Sequence, residues 1–432
     1  MPLSLMSSVK TRTTLETLNR LIREATETLS SGELAQELDG ALHDADRLPD
    51  RDLEALARNT VDAMEALQLR LIPSMTLLAD GFFEPPADQT PNTSIGYMNS
   101  KAMAAVVEAK IPDVLHSHGS LTAEELGPLV RVQPTRLTQL LDALVNNGIF
   151  SYDESSENFS NNRCSTLLRR DHWTKWHLWA DLYPNFFFDV SRSIPAAIRT
   201  GETRYAAQIE YGTDLSLFEY LASQGKSEYF HRVLGAGAVA MSKGLTIDYP
   251  WEELNDEVVV DLGAGSGDFL ASVLRQNPSL RGVVVDLKHI VDIVSPEIAA
   301  GGGANGRFVD VADRMSAKAG DFFGDIPAAS VYTIKWCLHN WMDNDVVRIL
   351  RNTRARLIPS PVARFIIFES TKRPGRSGRL ARYADILMMM TVNGRERTEG
   401  DWKRLAGLAG WKVHRVIDIR NSWASAIDLR PI

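Results

Sequence analysis

The chain has 432 residues, 44% hydrophobic and 24% charged, which is enough for two or three domains with buried cores. A formal charge of −8 argues against a large phosphate-binding surface, since nonspecific nucleic-acid affinity comes from clustered Lys and Arg. There is no apolar run of about 18 residues, no charged leader before an apolar core, and too few cysteines (Cys164 and Cys337) for a disulfide framework. A globular cytoplasmic protein is therefore expected, with neither membrane nor nucleic acid among its partners.

From Thr14 to Ser30 apolar residues fall at helical spacing, and a second helix is expected from about Asp50 to Leu71. The proline-rich stretch Gly81 to Pro91 reads as a linker closing a helical leader over residues 1–91. Packing or subunit contact is the expected role of that leader. A further helical pattern runs from Ile95 to Leu115, and Thr122 and Glu125 then have capping-box spacing. The turn at Val130 to Gln133, Pro134 at a helix start and the apolar face Leu137, Leu140, Leu141, Leu144 and Val145 make a helix–turn–helix. Ile149–Tyr152 and Phe159–Ser160 would add the hairpin of a winged helix. The module has no basic stripe, so a structural or dimerising role is expected rather than DNA reading.

His172 to Thr200 is dense in aromatics, several of them expected on one helix face, as core or as the wall of a substrate pocket. A long helical stretch from Leu215 to about Leu245 leads to the second half. There, Val258–Leu262, Arg281–Leu287, Arg307–Val311, Ser330–Lys335 and Arg364–Glu369 read as short strands separated by helices. That alternation predicts an α/β class fold, a parallel, doubly wound Rossmann-like sheet with ligands at the carboxyl ends of its strands.

Gly263, Gly265 and Gly267 follow the first of these strands and lead into a helix, which suits a nucleotide-like ligand lying against bare backbone. Asp286 closes the next strand, about 20 residues on, where a carboxylate can accept from ribose hydroxyls. Asp261 either orders the loop or meets the ligand. Asp321 and Phe322, in Gly320-Asp-Phe-Phe323, could accept from an adenine amino group and stack on its face. The G-x-G-x-G spacing and this local adenine site favour S-adenosylmethionine over a dinucleotide.

These residues, together with Ile334-Lys-Trp-Cys-Leu-His-Asn-Trp341, Phe365-Ile-Ile-Phe-Glu369 and Gly394-Arg-Glu-Arg-Thr398, resemble the plant-type (caffeate O-methyltransferase-like) class of S-adenosylmethionine-dependent O-methyltransferases, with their fungal natural-product relatives. The likeness runs from about Ile95 to the C-terminus, and residues Thr14 to Pro91 look like the longer leader of fungal members. It implies a winged-helix and helical domain over 92–246 that dimerises and closes the substrate pocket, and a catalytic domain over 247–432. It implies a homodimer and an aromatic, polyketide-like or alkaloid-like small-molecule substrate. It also implies cofactor contacts from Asp261, Gly263, Gly265, Asp286, Leu287, Asp321, Phe322 and Lys335, the last through backbone or side chain.

The catalytic set implied is His339 as general base, flanked by Glu369 and Glu396, with no metal. The chemistry stands on its own terms, because a phenol is a poor nucleophile until its proton leaves and an imidazole can take it near neutrality. The alternatives are a buried structural histidine or, because His and acids occur together, a metal site. Asn340 stands where the family usually has Asp. Asn340, Trp341, Asp385 and Met389 are the expected substrate contacts, with core packing an equal reading for the methionines around Met389 and the expected role of Trp402. Hydroxyl methylation of a secondary metabolite is the leading function. The alternative is a pericyclase or dehydratase of the same fold that keeps the cofactor as a fixed charge.

Overall fold

The computed structural model describes residues 3–42, 51–83, 96–299, 306–373, 379–420 and 422–432. It divides into two compact units, Met1–Leu71 and Ile72–Ile432. The first unit is helical over Leu3–Leu29, Gly32–Leu42 and Arg51–Leu71. Its first helix begins well before the expected Thr14, and the Gly32–Leu42 helix was not anticipated. Leu15, Leu21, Ile22 and Leu29 all remain exposed along the first helix. Of the expected linker, Gly81–Phe83 finish a helix, Ser74–Phe83, that belongs to the second unit, and residues 84–91 lie outside the described residues.

After Ser74–Phe83 the second unit has helices Tyr97–Glu108 and Ile111–His118 rather than one continuous helix. The break is at Lys110, whose φ of 59° lies in the left-handed region. The capping box is present: Thr122 accepts from Glu125 N–H while the Glu125 carboxylate accepts from Thr122 N–H. Helices Ala123–Val130 and Pro134–Asn146 follow, then the hairpin of β1 (Phe150–Asp153) and β2 (Asn158–Asn161). Phe159 also bridges to Leu121, which completes the wing.

The aromatic stretch is segmented, with helix Trp176–Leu182, a π-helical turn at Tyr183–Phe187 and short helices at Phe188–Ser191 and Ile194–Ala197. Trp176, Trp179, Tyr183 and Phe187 make one run of ring contacts along this stretch, so several aromatics share one face, whereas Trp173, ahead of the first helix, is exposed. The expected helix from Leu215 to Leu245 is likewise two, Leu217–Ser223 and Ser227–Ile247, separated at Gly225 with φ 67°. The expected boundary at 246/247 falls at the end of the second.

The sheet has β3 (Val258–Leu262), β4 (Arg281–Asp286), β5 (Met315–Ala319), β6 (Val331–Lys335), β7 (Arg364–Lys372), β8 (Arg397–Thr398), β9 (Trp411–Asp418) and β10 (Ala424–Pro431). Its order is β5-β4-β3-β6-β7-β10-β9, with β8 beside the end of β7. The pairings from β5 through β7 are parallel, whereas β10 runs antiparallel to both β7 and β9. The sheet is therefore mixed and not the purely parallel one expected.

The third strand is also corrected from Arg307–Val311 to Met315–Ala319. Residues 307–311 form turns in which Phe308 and Val311 are buried, and their Phe-Val-Asp-Val composition imitates a short strand. The true strand buries only Met315 and carries little apolar signal, as an edge strand can. Every residue of β7 except Lys372 is buried, because both faces of the sheet are covered. One face packs Val260, Tyr332, Ile334, Phe365 and Ile367 against Trp402 and Trp411, so Trp402 is core. The crossovers reverse direction between β3 and β6, which opens a crevice at the carboxyl ends of those strands. Among the described residues no helix is long and apolar enough to cross a membrane.

Candidate active site

At the end of β3 the chain turns through Gly263, Gly265 and Gly267 at φ 63°, 54° and 77°, conformations that L side chains rarely adopt. Gly263 and Ala264 donate to the Val285 carbonyl at 2.8 and 3.3 Å, which docks the loop on β4. A Cβ on Gly263 would lie 3.1 Å from Cys337 Sγ and 3.6 Å from Phe322 Cε1, whereas one on Gly265 would meet nothing within 4 Å. Bare backbone thus borders open space at Gly265, with Phe322 and Cys337 beside the first glycine.

Asp286 closes β4, and its carboxylate accepts from Gly265 N–H at 2.8 Å and Leu287 N–H at 2.7 Å. Leu287 is half exposed at the rim. Replacing Asp286 with Ala removes this anchor, so affinity for S-adenosylhomocysteine in a calorimetric titration is expected to fall roughly 10- to 100-fold, the worth of charge-assisted hydrogen bonds. Unchanged affinity would contradict the assignment.

Asp261 is buried within the sheet and accepts from the Thr333 hydroxyl at 2.7 Å. Burial pushes its pKa up to about 6 against the pull of Thr333 and Lys335. Burial likewise pushes Lys335 down, opposed by Asp261 and Glu369. Asp321 is exposed after β5 and its carboxylate accepts from Phe323 N–H at 2.8 Å, while Phe322 meets Trp341 edge to face at 6.0 Å. Trp341 also packs against Phe323, so its indole sits on the glycine-loop side of the crevice.

The second half of the site hangs from β6 and β7. Trp336 follows β6 with φ 47° and leads into a tight turn at Leu338–Asn340. Fully buried Glu369, on β7, gathers that turn through Oε1, which accepts from Cys337 N–H and Leu338 N–H at 2.8 Å and His339 N–H at 3.3 Å. Its other oxygen, Oε2, lies 3.0 Å from His339 Nδ1. Glu396 Oε1 meets the same nitrogen at 3.0 Å, in hydrogen-bond geometry.

One ring nitrogen thus faces two buried carboxylates. Burial would lower the imidazole pKa, but Glu369 and Glu396 overcome it and push it up to about 10. Burial would also raise Glu369, yet His339 and the turn N–H groups hold it below its ordinary value. Glu396 stays raised by burial, with the charges of Glu369 and Asp385 adding to it.

The residues at 339, 369 and 396 are far apart in sequence but bring one ligand-type atom each within 4.8 Å, the compactness of a metal site that their spacing along the chain conceals.

Asp385, on helix Arg379–Val392, accepts from Glu396 N–H at 2.8 Å and from Lys372 Nζ at 2.7 Å. It buttresses Glu396 and is paired with a lysine that the sequence reading did not single out. Met389 is half-buried on the same helix, and Asn340 is half-buried, its N–H donating to Cys337 O. Tyr383, Leu387 and Met390 of this helix line a cavity of about 220 Å³ with Tyr183 and Phe187. From there aromatic contacts continue through Trp179 and Trp423 to Trp336. The stretch at His172–Thr200 is therefore both core and pocket wall. Gly394, given no role of its own within the Gly394–Thr398 motif, lies against the His339 carbonyl, to which Arg395 N–H donates at 2.8 Å.

Comparison with known proteins agrees with this architecture. Residues 193–412 match the model of the O-methyltransferase domain, and residues 92–171 that of the O-methyltransferase dimerisation domain. The chain is 50% identical over 419 residues to O-methyltransferase gliM of Aspergillus fumigatus, covering 97% of this chain and 94% of that protein. It is 44% identical over 418 residues to O-methyltransferase verK of Clonostachys rogersoniana, covering 96% and 99%. Among solved structures, CalO1, a methyltransferase in calicheamicin biosynthesis in its SAH-bound form, superposes with a TM-score of 0.68 at 24% identity, over 79% of this chain and 96% of that one, a likeness of fold.

Proposed function

The chain belongs to the O-methyltransferase family, and from that premise we propose that it methylates a phenolic or enolic hydroxyl of a secondary metabolite, with His339 as proton acceptor. The observation that carries this reading is the placement of His339 Nδ1 at 3.0 Å from both Glu369 and Glu396, at the crevice beside the glycine loop. With Nδ1 so engaged, Nε2 is the nitrogen left to face an acceptor.

The residues fit S-adenosylmethionine, because a positive-φ glycine loop bordering open space is closed by an acid at the end of the next strand. Gly263, Gly265, Asp286 and Leu287 would hold its ribose and backbone-facing parts, Asp321 and Phe322 its adenine, and Asp261 and Lys335 the floor. When bound, the cofactor supplies an electrophilic methyl group on a sulfonium. The chain's own residues then have two tasks, deprotonation and in-line positioning. Asn340 and Met389 would contact the acceptor, whereas Trp341 lies with Phe322 and Phe323 on the glycine-loop side and Asp385 acts through Glu396, and residues 92–171 would pair two copies into a homodimer.

Base strength supports the assignment. An unperturbed imidazole near 6.5 would take a proton from a phenol near 10 at a cost of about 5 kcal/mol. Two buried carboxylates raise His339 above its ordinary value and so lessen that cost. The test is incubation with labelled S-adenosylmethionine and extracts of candidate aromatic metabolites, following label transfer and S-adenosylhomocysteine by mass spectrometry. Acceptor conversion without label transfer would favour the pericyclase or dehydratase reading.

The compact His339–Glu369–Glu396 group calls for a second test. Glu396 is hydrogen-bonded to the ring, Glu369 lies 3.0 Å from the same nitrogen, and the other Glu369 oxygen accepts from three main-chain N–H groups, so EDTA treatment is expected to leave turnover unchanged. Loss of activity restored by a divalent cation would make the group a metal site.

A further inference from the structure

We infer that Arg397 is a positioning residue for this reaction: its guanidinium clamps the turn that carries His339 and thereby fixes the imidazole between Glu369 and Glu396. This rests on the reading of His339 as proton acceptor.

Arg397 is fully buried, unusual for a guanidinium, and its donors are spent on the catalytic turn. Nη1 donates to Leu338 O at 3.1 Å and Nη2 to Trp341 O at 2.6 Å, so one side chain grips the turn on both sides of His339. Nη1 also reaches Arg395 O at 3.3 Å, and Nε donates to Asp343 Oδ1 at 3.1 Å. Asp343 opens the helix Asp343–Ala355 and takes a second arginine, Arg404, on Oδ2 at 2.6 Å. The guanidinium further lies over the Trp402 ring at 5.4 Å.

The turn is thus held by opposite charges on complementary groups. Its N–H groups at 337–339 converge on the Glu369 carboxylate, and its carbonyls at 338 and 341 converge on the Arg397 guanidinium. Glu396 and Arg397 are adjacent where the chain pairs with the end of β7, so one dipeptide supplies both a carboxylate to the imidazole and a clamp to the main chain beneath it. A lysine has one point charge and no planar fork, and cannot span the two carbonyls and Asp343 together.

The test compares Arg397→Lys and Asp343→Ala with the parent enzyme for kcat, KM, the pH–rate profile and S-adenosylhomocysteine affinity. For Arg397→Lys, kcat is expected to drop roughly 10- to 100-fold, as for a catalytic group misplaced by a fraction of an ångström. KM and cofactor affinity should stay within about twofold, and the pH limb assigned to His339 should move down as the ring leaves one carboxylate. Asp343→Ala should show the same pattern at about 5- to 10-fold, a smaller misplacement of the turn because both carbonyl contacts of Arg397 remain.

A parent-like kcat and pH limb in Arg397→Lys would overturn the inference. So would a loss of cofactor binding in step with kcat, which marks general structural support. If Arg397→Lys does not fold, Asp343→Ala decides by the same readings. If His339→Gln itself retains turnover, the base assignment falls and the inference falls with it; loss of turnover in His339→Gln beside parent-like clamp variants rejects the clamp alone.

Discussion

Replacement of His339 by Gln is expected to lower kcat by roughly 10²–10⁴ while leaving S-adenosylhomocysteine affinity within about twofold, the signature of a lost general base. The ring contacts Glu369 and Glu396, whereas the groups read as cofactor contacts lie on the glycine loop, Asp286 and Phe322, so the two functions separate in measurement. Unchanged turnover would remove His339 from the mechanism.

The parent enzyme carries a companion expectation in its pH profile. With the imidazole pKa pushed up to about 10, the proton-accepting form is scarce at neutrality, and kcat/KM should climb through the alkaline range instead of levelling above about 6.5. A plateau already reached near pH 7 would show that the carboxylates do not hold the proton in the working enzyme. The same shift has a sign in stability. A folded-state pKa above the unfolded value stabilises below about 6.5, and that contribution is lost as pH rises toward 10.

The second large effect is expected at Gly394. A Cβ there would stand 2.0 Å from the His339 carbonyl oxygen and 2.9 Å from Asn340 Cα, and both neighbours are backbone. Gly394→Ala must therefore push the turn that carries His339 away, straining the contacts that Glu369 and Arg395 N–H make with it. Overpacking of this kind costs about 1–3 kcal/mol, and a shift of the base by about 1 Å can cost roughly 100-fold in rate. Both a lower Tm and a fall in kcat of that order are expected. Gly407→Ala is the matched control, since its Cβ would meet nothing within 4 Å inside helix Glu399–Leu408, and it should leave kcat unaltered. Equal behaviour of the two variants would dissolve the steric account.

How far the sequence carried this reading depends on the range over which each signal acts. The glycine turn, the Thr122–Glu125 capping box, Pro134 at a helix start and the strands β3, β4, β6 and β7 are legible because turn chemistry and hydrophobic patterning operate over a few residues. Local signals also misled. Phe308 and Val311 imitate a strand, while Met315–Ala319, half solvated at the sheet edge, is a strand with hardly any apolar pattern. The breaks at Lys110 and Gly225 likewise depend on single left-handed residues that helical periodicity does not register.

The residue types of the site, one histidine and two glutamates beside a glycine-rich loop, were set by the sequence and its family likeness. Only the tertiary structure decided that both carboxylates meet the same ring nitrogen, that Asp385 is paired with Lys372 and supports Glu396, and that Gly394 and Arg397 press on the turn beneath the histidine. The reason is physical. Those contacts join β6, β7, β8 and two helices across 11 to 59 residues of chain, and burial then gives each charge a strength that no local pattern encodes.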